Sequence, residues 1–401
     1  MRIDQNSAHA TGDVNYPPPA GAGGTGFARA SVCHNCLMIR PPSPGAEPSL
    51  EALETAVAGA HDIHERVDAL LRLARALGNS DPPRALALSY DALRFAASVD
   101  YAEGIAWSHR RRAFLLNVTG KSLAALAEAR EALARFRKLA LPGGEAAALR
   151  DLGAICLSLG RLRAGLVYLQ RALALCERTG DLRGAAVARL TMGQLHAQLD
   201  ENGPALVDFA AALEAYRRLR DAAGEASARL NAGIAERHLG RAAAARAHYR
   251  AALAIARRRG YKRLEAEALI MCAELELDAR RWSRAASAFE RGAALAESLD
   301  ASAPRLNAEY GLGMVALARD ERAAAGRRFA DLRARATACG SRYGIMLARL
   351  GEGHLALAEG RMGDARRRAR EALELARDQE NREYRDAARR LLAAVAAGEP
   401  R

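Results

Sequence analysis

An all-α solenoid of antiparallel helix pairs is the fold this sequence predicts. The prediction rests on a 40-residue recurrence, the helical spacing of apolar residues inside each interval, and the turn residues between them. Read at every fortieth position, Ala148, Ala188, Ala228, Ala268, Ala308 and Ala348 form one column. Gly153, Gly193, Gly233, Ala273, Gly313 and Gly353 form a second. Ala85, Ala125, Gly165, Ala205, Ala245, Ala285, Ala325 and Ala365 form a third. Self-similarity at such a period marks a repeat array whose units complete their core only by stacking. Arrays of this kind present long curved binding surfaces rather than one enclosed catalytic pocket.

The elements follow in order along the chain. Residues 1–49 hold Tyr16, Pro17, Pro18 and Pro19, then Gly23 and Gly24, then Pro41, Pro42 and Pro44. Such a segment buries too little apolar surface to offset its ordering entropy, and it is expected to be a disordered tail. Residues 50–380 are expected to form about eight helix-pair units. The first runs from Ile63 to Val99, where Asp81 suits a helix cap and Pro82 and Pro83 the first helical positions. The unit starting near Glu145 shows the pattern best. Leu149, Leu152, Ile155, Cys156 and Leu159 lie at helical spacing, and Gly160 ends the helix. A second helix, residues 162–178, carries Leu166, Leu169, Leu173 and Cys176 before Gly180 and Asp181 stop it. Gly120, Gly160, Gly240 and Gly360 punctuate the units, with Asp200, Arg280 and Asp320 in the equivalent places. Gly153 and Gly165 permit close helix approach, and Leu169, Phe209, Tyr249, Phe289 and Phe329 fill the gap between units. Residues 381–401 are expected to be a capping helix and tail, with Arg382, Arg385 and Arg389 outermost.

The composition agrees with this class. Of 401 residues half are apolar and only 5% aromatic, so Ala and Leu dominate, as helix packing favours. Net charge is +13, but Lys121, Lys138 and Lys262 are the only lysines. An arginine bias with abundant Ala, Gly and Leu is that of a GC-rich genome, so the charge argues only weakly for nucleic acid. It does imply attraction to acidic surfaces at low salt. Cys156, Cys176, Cys272 and Cys339 read as small buried side chains, not a disulfide framework. The first twelve residues lack the apolar stretch of a signal peptide, and a cytoplasmic location is the expectation.

In the unit from Ala226 the order is Gly233, Leu239 and Gly240, Ala245, Tyr249, then Ala252 and Leu253. This order resembles the tetratricopeptide repeat. The family's usual unit is 34 residues long and often ends in proline; here the unit has 40 and no such proline. The 40-residue variety is similar to sensor arrays of bacterial signalling proteins. The resemblance covers residues 60–380 and implies a right-handed superhelix whose first helices line the concave face. The family's groove positions then fall on Arg110, Arg150 and Tyr310 in one column. Phe114, Gln194, Glu274 and His354 fall in a second, and Asn117 and Arg237 in a third. With Trp107 these are the candidate partner-binding residues. Arg110, Arg150 and Arg237 are expected to be solvent-exposed. The N-terminal part of the surface is basic and aromatic, the rest largely apolar, which suits an extended peptide or amphipathic helix with an acidic segment.

Other chemistry finds little support. Cys33 and Cys36 with His61 and His64 have zinc-ligand character, but four prolines separate the pairs and no metal or cofactor is expected. Three arginine triplets begin at Arg110, Arg257 and Arg366, and neighbouring residues of a helix point in different directions. Phosphate-loop and HExxH signatures are missing, and Gly351 and Gly353 beside His354 are predicted mid-helix. The function expected is a non-catalytic protein-interaction scaffold. A regulatory ligand or peptide sensor of a bacterial signalling pathway and a basic nucleic-acid-binding protein remain as alternatives.

Overall fold

In the computed structural model, residues 48–78, 80–299, 302–378 and 382–398 are described. They form eighteen helices, with no strand among the described residues. Helix α1 is Leu50–Ala58, α2 Ile63–Leu77, α3 Pro82–Ser98, α4 Ala102–Val118, α5 Ser122–Lys138 and α6 Pro142–Ser158. Then come α7 Leu162–Thr179, α8 Leu182–Gln198, α9 Asn202–Arg218, α10 Ala222–His238, α11 Ala242–Arg259 and α12 Lys262–Asp278. The last are α13 Trp282–Ser298, α14 Ser302–Ala318, α15 Arg322–Ala338, α16 Arg342–Ala358, α17 Met362–Asp378 and α18 Arg382–Gly398. Each even-numbered helix from α2 to α16 pairs with the next, and each pair packs on its neighbours in chain order. The tail, with Cys33 and Cys36, lies almost wholly outside the described residues. None of the described helices is long and apolar enough to cross a membrane.

The repeat is finer than the 40-residue columns suggest, because turns recur every twenty residues. Backbone φ is positive at residues 100, 120, 140 and onward through every described multiple of twenty to 360. Seven of these are glycines, but Asp100, Ala140, Asp200, Arg220, Arg280 and Asp320 take the same left-handed conformation. Behind all of these but Gly160, the next amide reaches back five residues, as Lys121 N–H to Leu116 O (2.8 Å) and Arg281 N–H to Glu276 O (2.8 Å). This closure satisfies carbonyls that the helix end would leave unpaired.

The glycine column works by omission. A Cβ on Gly153 would lie 2.5 Å from Leu169 Cγ, and one on Gly193 2.5 Å from Phe209 Cε1. Gly233 faces Tyr249 and Gly313 faces Phe329 in the same way. The large residues therefore seat on the glycine of their own pair, besides filling the space between units. Where Ala273 replaces the glycine, Phe289 lies against Gly311 of the following unit.

Several boundaries and burials differ from expectation. Helix α6 starts at Pro142, three residues before the expected Glu145, because proline fits a first helical position. Asp81 does cap α3, accepting from Arg84 N–H at 3.1 Å. Cys156 and Cys176 are buried, whereas Cys272 is half-buried and Cys339 is exposed at the end of α15.

Candidate partner-binding groove

A groove of about 890 Å³ runs along the N-terminal half of the array. The first helices of five consecutive pairs, α2, α4, α6, α8 and α10, line it, and Leu53 of α1 reaches its end. Its volume lies near the upper end of small-ligand pockets. Apolar surface comes from Trp107, Phe114, Val118, Ala147, Val187 and Leu190. Guanidinium groups come from Arg72, Arg75, Arg110, Arg111, Arg150 and Arg183, against Glu103, Asp151, Asp181 and Asp221.

Aromatic and basic groups are interleaved on α4. The Trp107 indole donates to Glu103 Oε1 (3.2 Å) and meets the Phe136 ring edge-on at 4.8 Å. The Arg110 guanidinium stands 5.4 Å from the Trp107 ring centre, and that of Arg111 5.7 Å from Phe114. At such distances the ring quadrupole attracts the cation. Asn117 Oδ1 accepts from Ser122 Oγ at 2.9 Å, which ties the end of α4 to α5.

Arginine–aspartate pairs bridge successive first helices. Arg110 Nε meets Asp151 Oδ2 at 2.8 Å, Arg150 Nη1 meets Asp181 Oδ2 at 3.4 Å, and Arg183 Nη1 meets Asp221 Oδ2 at 2.5 Å. Asp181 and Asp221 have a second task. Each caps its helix, accepting from Gly184 N–H (2.8 Å) and Gly224 N–H (3.0 Å) respectively. One carboxylate thus both ends a helix and holds its neighbour.

Farther along, the expected surface closes. Arg237 was expected in solvent, but its side chain is 3% exposed. It contacts Glu274 Oε2 at 2.5 Å and Asp278 Oδ2 at 2.7 Å, joining α10 to α12. Burial alone would lower its pKa, yet the two carboxylates outweigh burial and raise it. The physical reason is packing: the two columns that carry Arg237 and Glu274 are turned into the contact between units there. Gln194 is also buried, donating to Asn231 Oδ1 at 3.4 Å, and Tyr310 is buried beside Phe329. His354 lies mid-helix in α16, where burial and the nearby Arg390 push its pKa down to about 4.

Of ten residues proposed from sequence, Trp107, Arg110, Phe114, Asn117 and Arg150 share the groove; Gln194, Arg237, Glu274, Tyr310 and His354 do not line it. Sequence reading missed Arg72, Arg75, Arg111, Arg183, Val187 and Tyr216. A signal for the α8 and α10 edge existed in the glycines at 104, 144, 184, 224 and 344, which follow a turn by four residues. The arginine triplets are partly consumed by ion pairs, as Arg112–Glu128 (2.7 Å), Arg257–Glu265 (3.0 Å) and Arg368–Glu352 (3.1 Å) show.

No family model matches the chain, and no curated protein matches it in sequence. Solved structures do. A Rap protein complexed with Competence and Sporulation Factor is 15% identical with a TM-score of 0.58, covering 87% of this chain and 92% of that one. The Rap conjugation gene regulator of plasmid pLS20, in complex with the Phr* peptide, is 16% identical with a TM-score of 0.53, over 68% and 74%. A tetratricopeptide repeat protein from Parabacteroides merdae is 16% identical with a TM-score of 0.50, over 73% and 98%. At such identities the likeness is one of fold, and the fold is that of a tetratricopeptide-type helical array.

Proposed function

We propose that this tetratricopeptide-type array is a non-catalytic scaffold that binds an extended peptide or a helix of a partner protein. The concave face of its N-terminal half, from α2 to α10, is the binding surface. The observation that carries the reading is the groove itself: apolar surface for anchoring, guanidinium groups for acidic atoms, and walls drawn from five successive units. An elongated ligand that touches several units gains affinity from a few central anchors, and Trp and Arg dominate such anchors. Trp107, Phe114, Arg110 and Arg150 are the residues we assign to that role. The fold is shared with proteins whose structures contain Competence and Sporulation Factor or the Phr* peptide, which favours a peptide ligand and supports a regulatory sensor as the second reading.

Affinity capture from native cell extract tests the proposal. Wild type is compared with Trp107→Ala plus Phe114→Ala, once equal helicity is confirmed. A partner held by wild type and reduced at least tenfold on the variant supports the groove. Equal retention on both would move the site to the second helices or the turns.

A further inference from the structure

The second helices carry two rows of side chains that the packing of the array does not use. One row is apolar. Leu123 of α5, Val167 of α7 and Val207 of α9 are 68%, 47% and 67% exposed. The other row is basic. Lys138, Arg178, Arg218 and Arg258 stand at forty-residue spacing in the last turns of α5, α7, α9 and α11, and all four are exposed. Among the described residues none of these four side chains has an ion-pair or hydrogen-bond partner. Their neighbours do. Arg137 meets Glu145 (2.8 Å), Arg217 meets Glu225 (3.3 Å) and Arg257 meets Glu265 (3.0 Å), each in the first turn of the next helix. One cation of each such couple ties two helices together, and the other faces solvent.

Helix-end electrostatics do not account for the basic row. A cation in the last turn is favourable at any helix C-terminus, so that role is open to every unit. The column instead reads Ser98, Lys138, Arg178, Arg218, Arg258, Ser298, Ala338 and Asp378. The cations occupy four consecutive units, and three of those units hold the exposed apolar residues. Among the described residues α13, α15 and α17 expose no large apolar side chain. Eleven residues separate Val167 from Arg178 and Val207 from Arg218. That is close to three helical turns, so each couple shares one stripe about 16 Å long. Between the rows lie Ala174, Ala210 and Ala211, exposed and too small to hold a partner off. The exposed carboxylates of these helices are Glu177, Glu214 and Glu131, the last held by Arg135 at 2.7 Å.

We propose that this face of α5, α7, α9 and α11 is a second docking surface, occupied by an acidic amphipathic helix of a partner protein. A helix about 10–12 Å wide fits over the alanines between the two rows. It sets apolar residues against Leu123, Val167 and Val207, and Asp or Glu against the four cations. None of these side chains lines the groove, so both sites can be filled at once and the array joins two proteins. A second copy is a poor fit, since a chain of net charge +13 repels itself. Nucleic acid is another. These helices expose no Phe, Tyr or Trp on which a base could stack, and Glu177 and Glu214 would face its phosphates.

The test measures fluorescence anisotropy of labelled, helix-stapled peptides with the full chain. The peptides carry leucine along one edge and Glu, Gln or Lys along the other. Wild type is expected to bind the Glu peptide most tightly and the Lys peptide least. Arg178→Glu plus Arg218→Glu is expected to weaken the Glu peptide about tenfold and to strengthen the Lys peptide. Val167→Ser plus Val207→Ser is expected to weaken the Glu peptide about tenfold as well. Trp107→Ala plus Phe114→Ala is expected to leave it unchanged, which separates this surface from the groove. A Glu peptide that binds wild type and both surface variants equally, or that binds none of them, overturns the inference and leaves the groove reading standing. A role confined to the helix ends would lower the melting temperature of the arginine variant without changing affinity, which also overturns it. A DNA duplex whose binding is lost with the arginines and kept in the serine variant would assign the surface to nucleic acid instead. A dimer in sedimentation that the serine variant dissociates would assign it to a second copy.

Discussion

Gly233 shows how much of this fold depends on a missing side chain. The Tyr249 ring occupies the place of its Cβ, and both residues are buried. Overpacking at such a site costs about 1–3 kcal/mol for a small addition and more for a ring. Gly233→Trp is therefore expected to lower the melting temperature sharply and broaden the transition in circular dichroism; an unchanged profile would contradict the close contact. Glu267 offers a pH-dependent test. Burial pushes its pKa from 4.5 up to about 7, opposed by Arg263, whose Nε lies 3.5 Å away. Between those values the folded protein binds one proton more than the unfolded chain, so stability falls as pH rises through that window. Glu267→Gln removes the loss. Its stability relative to wild type should rise from pH 4.5 to pH 7.5 by on the order of 3 kcal/mol in urea titrations. A pH-independent difference would contradict a protonated Glu267.

The helices themselves were almost fully legible, since residues such as Leu149, Leu152 and Ile155 sit at helical spacing and Gly160 closes their helix. The turns were legible only in part. Gly120 and Gly240 announce left-handed turns, but Ala140, Arg220 and Arg280 adopt the same conformation without any residue preference for it. They do so because the flanking helices fix the path and leave no other geometry for a three-residue connection. Arg220→Gly and Arg280→Gly should each stabilise the protein by about 0.5–1 kcal/mol, since relief of left-handed strain outweighs the added freedom of the unfolded chain. Destabilisation in thermal melts would show the strain to be absent. The groove was half legible. Trp107, Arg110 and Arg150 follow from repeat position, whereas the partnership of Arg183 with Asp221 depends on the angle between units, which no column of letters records. For the same reason Arg237, outward by repeat position, turns out to be an inward strut to Glu274.

Across the whole molecule, each helix pair touches mainly its neighbours, so stability accumulates along the array and its ends are weakest. Helix α18 covers the last unit with Tyr384, Ala388, Leu391 and Val395, all buried. Tyr384 also shares a 2.8 Å hydrogen bond with Tyr343 of α16. Removal of residues 379–401 should expose the apolar face of α16 and α17, lower the melting temperature and promote association in light scattering; a monomer of unchanged stability would show that the cap is dispensable. The two ends of the array also differ in how their first helices are used in packing. From α2 to α10 the array keeps an open groove, while Arg237 at the end of α10, Glu274 of α12 and Tyr310 of α14 are spent on packing. Hydrogen–deuterium exchange of the protein with and without its captured partner tests that division most directly. Protection concentrated in α4, α6 and α8 is the predicted result, and protection confined to α12–α18 or to the second helices would contradict it.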